Sequence, residues 1–349
     1  MKTTFVSTIA LTESTRLTLL KAQAKLAGAQ KEMTTGRYSD VGMSIGSRSA
    51  EAVSLRQDHA RFSTIKDSNA LVMTRLDATQ AVLESISGDA EDFLSAVNAA
   101  RESENGPSVI QVEAKARLES LINGLNATVG GAYIFSGINT DAKPMSQYFG
   151  SPEPASRQSV AAAFFDAFGM TQSDPAVAGI SAADMQAFLD GPFASLTADP
   201  EWSANWSIAS DQNISSRISM SETIEGSTNA NIQPLRDLVR AYTMMSDLGV
   251  GQLDDATFRV VIDEAAKLIN GANAKLTHVR ANLGTAQERV STATERISIQ
   301  IDIFSKHVTN LEGVDPYEAS TRVTALMTQI ETSYALTARM QNMSLLNHL

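Results

Sequence analysis

Apolar residues recur in alternating steps of three and four through both ends of this chain, and the pattern fails in the middle. The longest seam runs Phe258, Ile262, Ala265, Ile269, Ala272, Leu276, Val279, Leu283, Ala286, Val290, Ala293, Ile297, Gln300, Phe304, His307, Leu311. Heptad spacing of this kind predicts one coiled-coil helix, about 80 Å long at 1.5 Å per residue. His307 sits on the seam and is expected to form a polar layer there. Gly313 ends the helix, and Asp315-Pro316 followed by Glu318 is the signature of a new start.

Three more seams share this period. The first, Phe5, Thr8, Thr12, Thr15, Leu19, Ala22, Leu26, Ala29, Met33, is polar in its first half and stops at Gly36. A second runs from Leu55 through Asp58, Phe62, Ile65, Asn69, Val72, Leu76, Thr79, Leu83, Ile86, Ala90, Phe93 and Val97 to Ala100. Asn69 is a polar seam residue, a device that fixes register. Asn105-Gly106-Pro107 breaks that helix, and Ser108 with Gln111 reads as a capping box for the next. The next helix carries Val112, Leu118, Leu121, Ile122, Leu125 and Val129 and is expected to end at Gly130-Gly131. The last seam is Ala319, Val323, Leu326, Ile330, Ser333, Thr337, Met340.

From about 141 to 230 the heptads are gone and six prolines punctuate the chain. Short helices are expected at 158–168 and 182–189, the latter capped by Ser181 with Asp184. Short strands are expected between Trp206 and Ile224. A helix resumes from Pro234 to Met245. Heptads at both ends around a foreign middle imply that the ends pair with each other. The fold class is therefore mainly α: a long antiparallel coiled-coil bundle from the N- and C-terminal halves, with an inserted small α+β domain. The expected division is 1–40 with 315–349 as a terminal helical domain, 41–140 with 231–314 as a helical rod, and 141–230 as an outer insert.

Composition narrows the function. There is no cysteine, so neither a disulfide framework nor a thiolate metal site exists. No apolar run is long enough to span a membrane. The first twenty residues lack the basic-then-apolar layout of a cleaved signal. A net charge of −11 argues against a nucleic-acid partner. The charge is uneven: residues 141–230 hold eleven acids and three bases, whereas residues 1–40 hold six bases and three acids. A solvated outer middle is the plain reading.

Signs of catalysis are thin. Gly42-Met43-Ser44-Ile45-Gly46 matches the nucleophile-elbow pattern, but an elbow needs a strand before it, and here a helical segment and a loop precede it. The four histidines, His59, His278, His307 and His348, fall on predicted rods without metal-ligand spacing. Neither a catalytic, a cofactor nor a metal site is expected.

Three stretches carry a family resemblance. Leu26 to Arg37 ends in Thr-Thr-Gly-Arg; Gly130-Gly131-Ala132-Tyr133-Ile134-Phe135-Ser136-Gly137 is followed by Thr140 and Pro144; and Val279-Arg280-Ala281-Asn282-Leu283-Gly284 precedes a tail from Asp315-Pro316-Tyr317 to Ser344-Leu345-Leu346-Asn347. These resemble the flagellin-like axial proteins of bacterial flagella and, within them, the hook-associated protein 3 family of the hook–filament junction. The Tyr133-Ile134-Phe135-Ser136-Gly137 turn favours the junction branch over flagellin, which usually carries an Asn-Gly turn there. After Arg37 the chain departs from the family, with Tyr38-Ser39-Asp40-Val41 in place of its usual stretch.

The resemblance implies an extracellular structural protein of the flagellum, exported through the type III channel without a cleaved signal. It implies an export chaperone as a partner before secretion. In the assembled state it implies the hook-side junction protein, flagellin and further copies of this chain in a ring-like layer. Leu19, Leu26, Met33, Val323, Leu326, Ile330 and Met340 are the expected subunit-packing residues, and Gly131, Tyr133, Phe135, Ser136 and Gly137 form the family turn. Two alternatives stay open: flagellin itself, and a cytosolic coiled-coil adaptor.

Overall fold

The computed structural model describes residues 8–103 and 105–346, with some side chains near both ends outside the description. Phe5 of the first seam lies outside the described residues, as do the side chains of Thr8, Thr12 and Met340. Ten α-helices dominate the described chain: α1 (Thr8–Thr35), α2 (Val41–Ile45), α3 (Ser49–Ala100), α4 (Gly106–Leu125), α5 (Ala155–Phe168), α6 (Ala182–Phe188), α7 (Glu201–Asn205), α8 (Gln233–Asp247), α9 (Asp255–Glu312) and α10 (Pro316–Leu346). Two small antiparallel hairpins complete it, β1 (Thr128–Val129) with β2 (Ala132–Tyr133) and β3 (Ser215–Arg217) with β4 (Thr223–Glu225). This is a helical bundle with a small additional α+β part. Its contacts divide it into two compact units, Met1–Thr64 with Arg296–Leu349, and Ile65–Glu295.

In the larger unit the α9 seam is real. Phe258, Ile262, Ala265, Ile269, Ala272, Leu276, Leu283, Ala286, Val290 and Ala293 are all buried, and Val279 is half-buried. The facing positions of α3, Leu76, Thr79, Leu83, Ile86, Ala90, Phe93, Val97 and Ala100, are buried as well. Polar pairs flank the stripe and give its direction. Asn69 meets Thr294, Asp77 meets Gln287, Glu84 meets Arg280 and Arg101 meets Asp263. As one number climbs the other falls by nearly the same amount, so the two helices run antiparallel without slipping register. Exposed ion pairs of this kind are worth little individually; burial of the apolar stripe does the stabilising.

Asn69 behaves as its seam position predicted. It is buried, and its Nδ2 donates to Ile218 O and to Thr294 Oγ1, each at 3.0 Å. A buried amide that finds partners at only one alignment penalises every other register.

Helix α8 is buried nearly all round and packs against α4. Its two buried charges are both paired, Arg236 with Asp199 and Asp237 with Lys275, each at 2.9 Å. Residues 155–205 add an aromatic cluster of Phe164, Phe168, Phe188 and Phe193 that belongs to the same hydrophobic core. The expected Ser181 cap is present: Asp184 N donates to Ser181 Oγ at 3.2 Å. Burial, first, and the Asp247 carboxylate hold the Tyr148 hydroxyl well above its usual pKa, so it stays a donor to Asp247.

Four local expectations are corrected. The helix α4 stops at Leu125, because the Asn126 side chain turns away to pair with both backbone groups of Met145, at 3.0 Å each way. Val129 therefore lies in β1. Val112 is exposed, since the α4 core face is Ile110, Ala114, Leu118, Leu121, Ile122 and Leu125, and 112 falls on the opposite side. The Ser108–Gln111 capping box does not form: α4 begins three residues earlier, with Asn105 in the cap position, Ser108 Oγ donates to Asn105 O, and Gln111 donates to Ser246 O. His307 is exposed and the neighbouring Val308 is buried in its place, so no polar layer exists there.

Asn69→Ala is expected to lower the unfolding free energy by about 1–3 kcal/mol, the cost of leaving the Ile218 carbonyl unpaired in the interior. Urea denaturation followed by circular dichroism would measure it. An unchanged midpoint would remove Asn69 from the register argument.

Candidate assembly surfaces

In the smaller unit α1 packs along α10. The contact uses small residues: Ala22 and Ala29 on α1, Ala319 and Val323 on α10, all buried. Small side chains let the backbones approach closely, but they bury little area each. The threonines on these helices turn inward on themselves. Thr18, Thr34, Thr324, Thr328, Thr332 and Thr337 each donate their hydroxyl to the carbonyl four residues back. With the hydroxyl so used, the methyl group is what the side chain offers a neighbour.

That packing leaves apolar groups uncovered. Leu19, Leu26, Leu326 and Ile330 are half-buried, and Met33 is 44% exposed. Leu17, Leu20, Met327, Tyr334 and Leu336, none of them singled out by the seams, are about half exposed too. Gln23 Nε2 donates to Tyr334 Oη at 2.9 Å across the pair. Heptad reasoning selects one face per helix and therefore missed the second apolar edge. Its signal in the sequence is the pair Leu17-Leu20, three apart and one or two positions from the seam residue Leu19.

Two buried carboxylates fasten this unit where α1 and α9 end. Glu312 is wholly buried and faces Arg56, in hydrogen-bond contact, and Arg37, at 3.8 Å. The backbones join as well: Tyr38 N donates to Glu312 O at 3.0 Å and Val314 N to Gly36 O at 3.0 Å, around an Arg37–Gly313 bridge. Glu32, also buried, accepts from Ser39 N and Oγ and pairs with Arg322 at 3.2 Å. The sequence signalled the Thr-Gly-Arg ending but not these acids. Their marker is position: each lies within about one turn of a helix-ending glycine, Gly36 or Gly313. Asp315 caps α10 as expected, accepting from Tyr317 N at 2.8 Å, while Glu318 turns to Arg322 rather than closing a box.

The Gly130–Gly137 stretch is a structural joint of the larger unit. Gly130 and Gly131 both have positive φ, at 60° and 84°, and form the two-residue turn between β1 and β2. A type I′ turn requires that conformation at both positions. Tyr133 is half-buried; Ile134, Phe135 and Ser136 are buried. Their carbonyls tie down the returning chain: Ala230 N donates to Phe135 O and Ser210 N to Ser136 O. At Gly137, φ is 62° and a Cβ would stand 2.3 Å from Ser210 O, so both conformation and space demand glycine.

Ser44 forms no elbow. It lies in the short helix α2, preceded by α1 and a loop, and its hydroxyl donates to Asp40 O at 2.7 Å. Among the described residues no group of three His, Asp or Glu could hold a metal, and no helix is long and apolar enough to cross a membrane.

Two family models match the chain: the bacterial flagellin N-terminal helical region over residues 6–140 and the bacterial flagellin C-terminal helical region over 266–349. Together they span well over half of it, and the chain belongs to the flagellin-like family. Among solved structures it is similar to a chain from Vibrio parahaemolyticus provisionally named a flagellar hook-associated protein, with a TM-score of 0.52 at 12% identity. The match covers 76% of this chain and 97% of the other, and at that identity it establishes the shared fold alone. No curated protein sequence matches significantly.

Two measurements check these sites. Replacing both Arg37 and Arg56 by Ala should cost about 3–5 kcal/mol, because Glu312 is left charged and unpaired in the interior. Glu312→Gln should cost less, about 1.5–3 kcal/mol, since both arginines are half exposed and regain water. Chemical denaturation giving the reverse order would show that Glu312 is not held by these ions. Gly137→Ala should lower Tm more than Gly131→Ala, whose added methyl meets no atom within 4 Å. Equal losses in a thermal melt would mean that positive φ alone sets the cost.

Proposed function

We propose that this chain is a non-enzymatic axial subunit of the bacterial flagellum that acts at the hook–filament junction. The observation that carries the reading is the uncovered apolar edge on α1 and α10. Leu17, Leu20, Met33, Met327 and Leu336 remain exposed after the two helices have packed on each other. Helices that bury mainly alanine and valine against one another are marginal alone. Neighbouring subunits that cover the remaining leucines would supply the missing area, with ordering and binding coupled.

In this reading Leu19, Leu26, Met33, Leu326 and Ile330 face further copies in a ring-like layer; Val323, expected among them, is already buried within the chain. The hook-side junction protein and flagellin lie on either side of that layer. The protein is extracellular, exported through the flagellar type III channel and held by a chaperone beforehand. Family membership supports the axial role, and the Tyr133–Gly137 stretch supports the junction branch. Flagellin itself is the second reading; a preparation that grows long filaments unaided would establish it.

Deleting Val323 to Met340 should abolish incorporation into flagella and leave residues 65–295 folded, as read by electron microscopy and by circular dichroism. Flagella that incorporate the truncated chain normally would refute the packing role of α10. A strain lacking the gene should show hooks without filaments.

A further inference from the structure

A groove on the outer face of α5 has no role in the assembly just described. Ser159, Ala162, Ala163, Asp166 and Ala167 recur in steps of three and four, so they share one helix face and form its floor. Two open hollows of about 550 and 480 Å³ lie side by side there, both lined by Ala167 and Pro192. The larger has an aromatic wall of Phe168 and Phe188. Small residues below and rings beside make an open channel.

Two further features distinguish the place. Pro192 stands in a π-helical turn, Leu189–Phe193, which follows α6 directly. Such turns forfeit regular helical hydrogen bonding and concentrate at functional sites. The second is charge. The lining carries Asp166, Asp184 and Glu201 and no Lys or Arg. Among the described residues none of the three has an ion-pair partner. Asp184 and Glu201 accept only from neutral groups, Ser181 and Asn205. The surrounding segment, 141–230, is itself strongly acidic. A channel of mixed polar and apolar lining with an uncompensated acidic rim selects its occupant by charge as well as by shape.

We propose that this groove binds a basic amphipathic peptide segment of a partner protein. The apolar side chains of that segment seat against Ala167, Phe168 and Phe188, in the helix-in-groove manner. Its Lys or Arg residues meet Asp166, Asp184 and Glu201. The charged rim governs the rate of encounter and its salt dependence, and the channel governs affinity. The full-length protein tests this without reference to flagellar assembly.

The probe is a short fluorescent amphipathic Leu–Lys peptide, with its Leu–Glu counterpart as control, titrated by fluorescence anisotropy. The Leu–Lys peptide should bind, and the Leu–Glu peptide should not. Ala167→Arg, which fills the channel from an exposed position, should weaken binding about tenfold or more. Gln212→Arg, the same charge change on an exposed loop elsewhere, should have little effect. Absence of binding, equal binding of both peptides, or equal loss in both variants would overturn the proposal. So would a dimer of the free protein that Ala167→Arg dissolves, which would give the groove to a second copy of the chain. Should Ala167→Arg fail to fold, Asp166→Lys, at another exposed position, should weaken Leu–Lys binding in its place, and undiminished binding would overturn the proposal.

Discussion

The apolar stripe on α9 is the constraint from which the rest of the larger unit follows. From Phe258 to Ala293 one residue in every three or four is withdrawn from water, in a helix otherwise lined with charge. Each buried Leu, Ile or Val contributes about 1.5–3 kcal/mol, so the stripe outweighs the handful of exposed ion pairs beside it. Alanines between the larger residues let neighbours approach. The partners are then determined by what they can offer in return: α3 brings a matching stripe, and α8 is buried nearly all round. The Asn69–Thr294 pair sets which turn meets which.

The same spacing has a different consequence in the smaller unit. There the α3 and α9 seams are only partly covered: Leu55, Phe62 and Phe304 are half-buried and Gln300 and His307 face solvent. Helices α1 and α10 bury mainly alanine and valine. Their turns are held instead by two buried carboxylates with arginine partners, a device that fixes geometry more than it adds stability. One heptad grammar thus produces two kinds of surface. One is satisfied within the chain; the other has apolar groups to spare, and that surplus supports the assembly reading. The acidic rim around α5 is a third kind, a groove whose charge is unanswered among the described residues.

Much of this was legible in the sequence, and the reasons are local. Helix existence follows from periodicity, because a residue's face depends only on its number. The starts at Asp315 and Ser181 were readable because a cap and its recipient lie within one turn. The Gly130–Gly137 stretch stood out as a motif, although its role as a hairpin and a buried joint did not. The misreadings came where a distant partner intervened. Met145 draws Asn126 out of α4, and the packing of α4 on α8 turns Val112 outward. His307 held a seam position by spacing, but there the buried face shifts by one residue to Val308.

By itself the sequence determined that the chain is helical, that its two ends carry matching stripes, that the middle differs, and that it has no thiolate chemistry. These depend on residue type and spacing along one chain. Tertiary structure alone decided which carboxylates are buried, which apolar edge stays exposed, and that Phe168, Phe188, Pro192 and the α5 face form one groove. Burial is a property of what lies opposite. A glutamate beside a glycine reads the same in the sequence whether water or two arginines face it.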